Sequence, residues 1–171
     1  GNNTFVAVVS NGKISTSPGG TTWTAKTSGT TKTFRGVAYG NNTFVAVGNS
    51  GKIFTSPDGT TWTAQTSGVT VRLNGVTFST DKFVAVGNTG TILTSPDGTT
   101  WTAQTSGATQ NLQGVTYGNN TYIATSDAGA ILTSPDGTTW TAQTSGTTQA
   151  LRGVTYGNNT FVVVGEEIVK T

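Results

Sequence analysis

The chain of 171 residues contains no cysteine, histidine or methionine. Without cysteine no disulfide can form, so packing must hold the fold together. Without cysteine and histidine, zinc or another soft metal would have to bind through carboxylates alone. The aspartates also lack the dense spacing of oxygen ligands that marks a calcium loop. We therefore expect no metal site and no cofactor.

Charge is sparse, since 9% of the residues are charged and the formal net charge is +2. The basic residues are scattered and form no run, which argues against a nucleic-acid partner. No apolar run is long enough to span a bilayer, so we expect no membrane insertion. The chain begins at Gly1 without a signal peptide, and we expect it to be an excised or processed piece.

A repeated unit dominates the rest of the sequence. Around three tryptophans the string TSPDGTTWTAQTSG is unchanged, and around the first it reads TSPGGTTWTAKTSG. The tryptophans recur every 39 residues, at Trp23, Trp62, Trp101 and Trp140. A period near 40 residues with strand-forming content and no helical periodicity is typical of a β-propeller. We treat 1–171 as one propeller domain with repeats at about 1–34, 35–73, 74–112, 113–151 and 152–171.

Each repeat predicts four short strands. In the second repeat they are Arg35–Gly40, Thr43–Asn49, Lys52–Ser56 and Thr61–Ser67. Glycine or asparagine stands at each turn, where a positive φ is needed. The second strand has Phe44 and Ala46 on one face and valines on the other. Because both faces are apolar, both must be covered by neighbours. The predicted fold is therefore all-β, a propeller of four-stranded antiparallel blades.

The number of blades stays open between three arrangements. The chain begins with a second strand and ends with a first, a second and a predicted third strand within Gly165–Thr171. Five blades are favoured, with the two terminal blades each one strand short. Alternatively, Arg152–Tyr156 joins the N-terminal strands and completes four blades, or strand exchange between chains gives a homo-oligomeric ring.

The Ser-Pro-Asp-Gly segment before each tryptophan is predicted to be a structural turn and not a catalytic centre. Pro57 presets φ, Asp58 can accept hydrogen bonds from turn amides, and Gly59 can take a left-handed backbone. Trp62 is expected to bury its ring. The first repeat has Gly19 in place of the aspartate, which argues against a shared catalytic role.

Ser56–Trp62 resembles the Asp-box of BNR-repeat propellers, although its spacing from aspartate to tryptophan is one residue shorter. Leu73–Trp101 is similar to repeats of the Ycf48/HCF136-like group of photosystem II assembly factors. The resemblance covers nearly the whole chain and implies a propeller with the box between the third and fourth strands of a blade. Because Asp-boxes occur in many secreted proteins, it also implies an extracellular or cell-surface location. The structural box residues would be Ser56, Asp58, Gly59, Trp62, Ser95, Asp97, Gly98, Trp101, Ser134, Asp136, Gly137 and Trp140.

The copies differ most in the loop before the first strand of each blade and in the turn after the second. On a repeat scaffold, function usually lies on one loop-bearing face. The candidate ligand-binding residues stand where the first strand begins, and they are Arg35, Asn74, Gln113 and Arg152. We therefore expect a non-enzymatic, secreted or surface scaffold that binds carbohydrate or protein.

Two alternatives stay open. Near-identical repeats are compatible with a recently amplified or engineered structural protein that self-assembles and binds no small ligand. A glycoside hydrolase would need two carboxyl groups that face each other across a cleft. The chain has seven acidic residues, mostly in turns, and we assign no catalytic residue.

Overall fold

The computed structural model describes Gly1 and residues 3–166, which form five antiparallel sheets. The first sheet consists of β1 (Phe5–Val8), β2 (Lys13–Ser17) and β3 (Thr24–Thr27). The second consists of β4 (Phe34–Gly40), β5 (Thr43–Gly48), β6 (Ile53–Ser56) and β7 (Thr63–Gln65). The third consists of β8 (Leu73–Phe78), β9 (Phe83–Gly87), β10 (Ile92–Ser95) and β11 (Thr102–Gln104).

The fourth sheet consists of β12 (Leu112–Gly118), β13 (Thr121–Ser126), β14 (Ile131–Ser134) and β15 (Thr141–Gln143). The fifth consists of β16 (Leu151–Gly157) and β17 (Thr160–Gly165). Short 3₁₀ turns follow β1, β5 and β9, at Ser10–Gly12, Asn49–Gly51 and Asn88–Gly90. No helix in the described residues has the length and apolar character of a membrane span.

The predicted all-β class with four-stranded antiparallel blades is confirmed. Strands pair in chain order within each sheet, and the three central sheets each have four strands. The fourth strand of the second repeat is shorter than predicted, Thr63–Gln65 instead of Thr61–Ser67, because the turn hydrogen bonds extend to Trp62. In the last blade, β16 pairs with β17 and not with the N-terminal strands. Most of the third strand predicted within Gly165–Thr171 lies outside the described residues.

The hairpins between the first and second strands depend on asparagine. Asn41 and Asn42 have φ of 46° and 55°, and the same pair recurs before β13 and before β17. Two successive residues with positive φ define a type I′ turn, whose twist matches that of the flanking strands. Asparagine tolerates this left-handed region better than most residues, so Asn-Asn fixes the register of these three hairpins, whereas the hairpin between β8 and β9 has no asparagine.

The core lies between blades. Val45 and Val47 of β5 cluster with Phe83 and Ala85 of β9, and all four side chains are fully buried. The next interface has the same composition, with valines of β9 against Tyr122 and Ala124 of β13 in a second cluster. Burial of a valine or phenylalanine side chain stabilises a fold by about 1.5–3 kcal/mol. The second strand therefore contributes to two interfaces at once, as the sequence predicts.

The first strands of neighbouring blades approach closely at a position that is glycine in every repeat with a first strand. A methyl group added to Gly36 would lie 3.3 Å from the Cα of Gly75. One added to Gly75 would lie 3.3 Å from the carbonyl oxygen of Gln113. Glycine at this position lets the backbones of β4, β8, β12 and β16 lie side by side in that order.

The Ser-Pro-Asp-Gly turns are built from local hydrogen bonds. In the third blade, Ser95 Oγ accepts the Gly98 N–H at 2.8 Å and donates to Asp97 Oδ1 at 3.1 Å. Asp97 Oδ1 also accepts the N–H groups of Thr99 and Thr100, two and three residues later, at 2.8 and 2.9 Å. The second and fourth blades repeat this network with Ser56 to Trp62 and Ser134 to Trp140.

The tryptophans close these turns, because each indole N–H donates to the carbonyl of the turn glycine, as from Trp101 to Gly98 at 2.8 Å. Trp62, Trp101 and Trp140 are half-buried and not fully buried as expected, since they lie at the outer edge of the blade. The first blade keeps the bond from Trp23 to Gly20, although Gly19 supplies no carboxylate. The turn therefore forms without the aspartate.

Hydrogen bonds stabilise the charged form of three turn aspartates. Bonds from the Thr60 side chain to Asp58 and from the Thr100 N–H to Asp97 hold the pKa of each carboxyl well below its usual range. The Thr139 N–H lowers the pKa of Asp136 in the same way.

A pair of glycine substitutions measures how tightly the blades fit. Gly98 and Gly107 both have positive φ, 80° and 71°. A methyl group on Gly98 would lie 2.8 Å from Val45 Cγ2 of the preceding blade, whereas one on Gly107 meets nothing within 4 Å. We expect Gly107→Ala to lower the free energy of unfolding by about 1 kcal/mol through backbone strain. Gly98→Ala should lose about 1–3 kcal/mol more through overpacking.

Urea unfolding of both variants, followed by circular dichroism, gives the comparison. Gly107→Ala is the matched control for the left-handed backbone. An equal loss in the two variants would contradict tight contact between the Gly98 turn and the second blade.

The turn aspartates should determine how much stability the fold loses in acid. Their pKa is lowered on folding, so they stabilise the fold above the unfolded pKa of about 3.9, and this contribution is lost as pH falls below that value. The triple variant Asp58→Asn, Asp97→Asn, Asp136→Asn keeps an oxygen acceptor but cannot titrate. We expect it to be less stable than the parent at neutral pH and to lose less stability between about pH 4 and pH 2.

Thermal unfolding at a series of pH values measures this difference. Asp81→Asn is the control, because that carboxylate accepts a hydrogen bond from the Ser79 hydroxyl and lies outside the Ser-Pro-Asp-Gly turns. A triple variant with the parent's acid profile would show that these carboxylates do not govern acid stability.

Candidate functional site

The four candidate binding residues occupy the second position of the first strand in four blades. They lie at one end of β4, β8, β12 and β16, each directly before the glycine at which the strands approach. A methyl group on Gly114, for example, would lie 3.4 Å from the carbonyl oxygen of Arg152. The structure therefore brings these residues into one line, and we call Arg35, Asn74, Gln113 and Arg152 the polar row.

The two arginines of the polar row differ in their partners. The exposed Arg35 donates from Nε to Asn49 Oδ1 at 3.3 Å, a neutral acceptor that leaves its charge uncompensated. Arg152 donates from Nε to Glu166 Oε1 at 3.1 Å and from Nη2 to the same oxygen. This ion pair is exposed and contributes little to stability. Positive charge is therefore less compensated at the Arg35 end of the row.

The two amides of the polar row also differ. Asn74 donates from Nδ2 to Asn88 Oδ1 at 3.0 Å and to the carbonyl of Leu112 at 2.7 Å. The second bond crosses from β8 to β12, so Asn74 fastens two blades together. For Gln113, the hydrogen bonds found within residues 3–166 include none from the side chain. Asp127, in the turn after β13, accepts instead from Asn111 Nδ2 at 2.8 Å.

Arg72 is a further basic residue at this end that the sequence analysis did not single out. It lies directly before β8, two residues from Asn74, and is half-buried. Its Nε is buried and has no hydrogen-bond partner among the described residues. An unsatisfied buried donor costs about 1–3 kcal/mol. The loop before β8 differs from its counterparts in the other repeats, and this variation is the feature of the sequence that could have pointed to Arg72.

A second group of polar residues lies at the opposite end of the third and fourth blades. Tyr122 Oη donates to Ser79 Oγ at 2.5 Å, and Ser79 Oγ donates to Asp81 Oδ1 at 2.9 Å. Burial raises the pKa of Tyr122. Lys82 Nζ donates to the carbonyl of Asp136 at 3.2 Å. Asp81, Lys82, Tyr122 and Asp136 are among the residues that line a cavity of about 280 Å³.

This second group was also missed, although the repeats contain the signal. Ser79 stands where neighbouring copies have Gly40 and Gly118, and Tyr122 stands where they have phenylalanine. The two departures from the repeat meet in one hydrogen bond between adjacent blades. We interpret this bond as a structural fastening of the third blade to the fourth. Within the described part of the chain, no group of three or more acidic side chains could hold a metal.

Solved structures of other propellers resemble the chain. Ycf48 bound to a D1 peptide is 19% identical, with 92% of this chain and 55% of that chain covered and a TM-score of 0.72. Ycf48 from Cyanidioschyzon merolae is 18% identical over 92% of this chain and 57% of its own, with a TM-score of 0.71. The computationally designed Ika4 protein is 14% identical, with 79% of this chain and 86% of that chain covered and a TM-score of 0.65.

These similarities support the β-propeller fold alone, because the identities are low. The chain spans a little over half the length of the two Ycf48 chains. No curated protein matches the sequence. The Asp-box resemblance stays a prediction from the sequence. The model of one family, described as the DUF6242 beta propeller domain, matches residues 1–112. Because this match covers well over half of the sequence, the chain belongs to the DUF6242 beta propeller domain family.

Proposed function

We propose that the chain is a non-enzymatic scaffold that binds a segment of another protein along the polar row. The observation that carries this proposal is the line of hydrogen-bond donors formed by Arg35, Asn74, Gln113 and Arg152 at one end of the adjoining first strands. Arg72, directly before β8, adds a third guanidinium beside the row. A line of donors along adjacent strands suits an extended segment that offers an acceptor to each blade.

The chemistry of the donors favours carboxylates in the partner. Guanidinium groups bind carboxylates with charge-assisted hydrogen bonds, which are stronger than those between neutral groups. Arg35 has a neutral amide as its partner, so its charge is available to a ligand. We therefore propose an acidic protein segment, with its carboxylate near Arg35 and its backbone carbonyls near Gln113.

A protein segment fits this face better than carbohydrate. Sugar sites commonly use an exposed aromatic ring as a platform, and the polar row contains none. The tryptophans lie with the Ser-Pro-Asp-Gly turns at the other end of the blades, where their indole N–H groups are already bonded. A similar propeller, Ycf48, has been solved with a bound peptide, which supports the same class of partner here.

The proposal includes the absence of catalysis and an external location. Among the described residues, the two carboxylates near the row have partners, Asp127 with Asn111 and Glu166 with Arg152. A hydrolase would need two carboxyl groups free to act on one bond. The extracellular or cell-surface location rests on the Asp-box resemblance alone.

Binding to peptides tests the proposed partner. Selection from a displayed library of random peptides should give acidic sequences that bind the parent chain. Arg35→Ala should weaken binding of the selected peptides by about tenfold or more, the loss expected for one charge-assisted hydrogen bond. Fluorescence anisotropy with a labelled selected peptide measures the change, and rising salt should weaken binding in the parent.

Lys82→Ala is the control, because it removes a positive charge at the opposite end of the blades. Its effect should be less than about twofold. Equal losses in Arg35→Ala and Lys82→Ala would contradict binding at the polar row. If no peptide is selected and the chain instead binds a glycan array in a manner that depends on Arg35, the partner is a carbohydrate and not a protein.

A further inference from the structure

Every blade presents two different faces to its neighbours. One face, which we call the valine face, carries the valines equivalent to Val45 and Val47. The other, which we call the aromatic face, carries the residues equivalent to Phe83, Ala85 and Trp101. Between the second and third blades the valine face of one packs on the aromatic face of the next. The same pairing recurs between the third and fourth blades.

The two terminal sheets each leave one of these faces uncovered. On the first sheet it is the aromatic face, where Phe5 is 57% exposed and Trp23 is 45% exposed. On the last sheet it is the valine face, where Val162 is 50% exposed and Val164 is 60% exposed. Their equivalents inside the chain, such as Val45 and Val47, are fully buried.

These four residues make up nearly all of the large exposed apolar side chains in the described residues, the fifth being Val9. Exposed apolar residues that are scattered singly need no explanation, whereas a grouped set marks an interaction surface. Here the groups coincide with the two halves of an interface that the chain already forms internally. None of the four carries charge, so the occupant of each face must be apolar and neutral.

We propose that the valine face of the last sheet in one copy packs on the aromatic face of the first sheet in a second copy. The contact continues the interface between blades across two chains, with the same residue types from the same strand positions. Because the two faces differ, the association is head-to-tail. It needs no exchange of strands, since β1 stays paired with β2 and β17 with β16.

The occupant is a second copy because the two terminal faces carry the residue types of an interface that this chain already forms internally. In the described residues no strand pairing joins the first sheet to the last. The exposure of Phe5 and Val164 shows that the two faces do not cover each other. A second copy is a partner that presents the complementary face with the spacing of strands already suited to it.

The proposed contact is weaker than the internal ones at one position. Ser15 pairs with Ala7 on the aromatic face of the first sheet. The corresponding positions in the next three sheets hold Phe54, Leu93 and Leu132. A serine there buries less apolar surface, so association between copies should depend on concentration.

Two variants, each with one face blocked, test the proposal. Val162→Lys with Val164→Lys blocks the valine face, and Phe5→Lys blocks the aromatic face. The substituted residues are exposed, so both variants should fold, as thermal unfolding by circular dichroism checks. Sedimentation equilibrium should show that the parent's average mass rises with concentration and that each variant alone stays monomeric.

A mixture of the two variants gives the decisive result. Each variant keeps the face that the other has lost, so an equimolar mixture should form dimers and nothing larger. A mixture that stays monomeric, or a parent chain that is monomeric at every concentration, would overturn the proposal. Self-association of the variant with a blocked valine face would overturn it as well, because that contact would not be head-to-tail.

A gain-of-function variant adds a second readout. Ser15→Leu restores the residue type of Leu93 and Leu132 and should strengthen association by about tenfold. Thr31→Leu adds the same side chain in an exposed loop outside both faces and should leave association unchanged. If both substitutions strengthen association equally, the cause is nonspecific hydrophobic association and not the proposed interface.

Discussion

The fold depends on the burial of both sides of the second strand in every blade. Val45 and Ala46 project from opposite faces of β5, and both are buried against neighbouring blades. A sheet of four strands with three to seven residues each has too little surface of its own to be stable in water. Disulfides are excluded, because the chain has no cysteine. Apolar contact between adjacent sheets is therefore the main source of stability.

This constraint separates the scaffold from the positions that are free to differ. The middle of each strand is fixed by packing, and the Ser-Pro-Asp-Gly turns are fixed by bonds between residues two or three apart, such as Ser95 and Gly98. Side-chain bonds that connect different blades occur where the copies differ. Asn74 reaches Leu112, and Tyr122 reaches Ser79. Departures from the repeat thus distinguish blades that are otherwise nearly alike.

The architecture and the position of the polar row could be predicted from the sequence. The hydrogen-bond partners and the burial of the individual side chains could not. The 39-residue period and the two apolar faces of the second strand indicate blades, because both are local patterns. The pairing of Arg152 with Glu166, and of Arg35 with the neutral Asn49, depends on side-chain reach across a hairpin. The buried Nε of Arg72 depends on packing against neighbours, which a periodic pattern does not specify.

A repeated interface with two different faces has no internal limit, since each added blade presents the same surface as the one before. Growth stops when the ring closes, or when a terminal face becomes too polar to bind. In the described residues Phe5 and Val164 are exposed, so the two terminal faces do not cover each other there. Ser15 makes the aromatic face of the first sheet more polar than its internal counterparts, but Phe5 and Trp23 keep it apolar. In the proposed contact between copies, residue type therefore preserves the specificity of the internal interface, while the smaller buried area lowers the affinity.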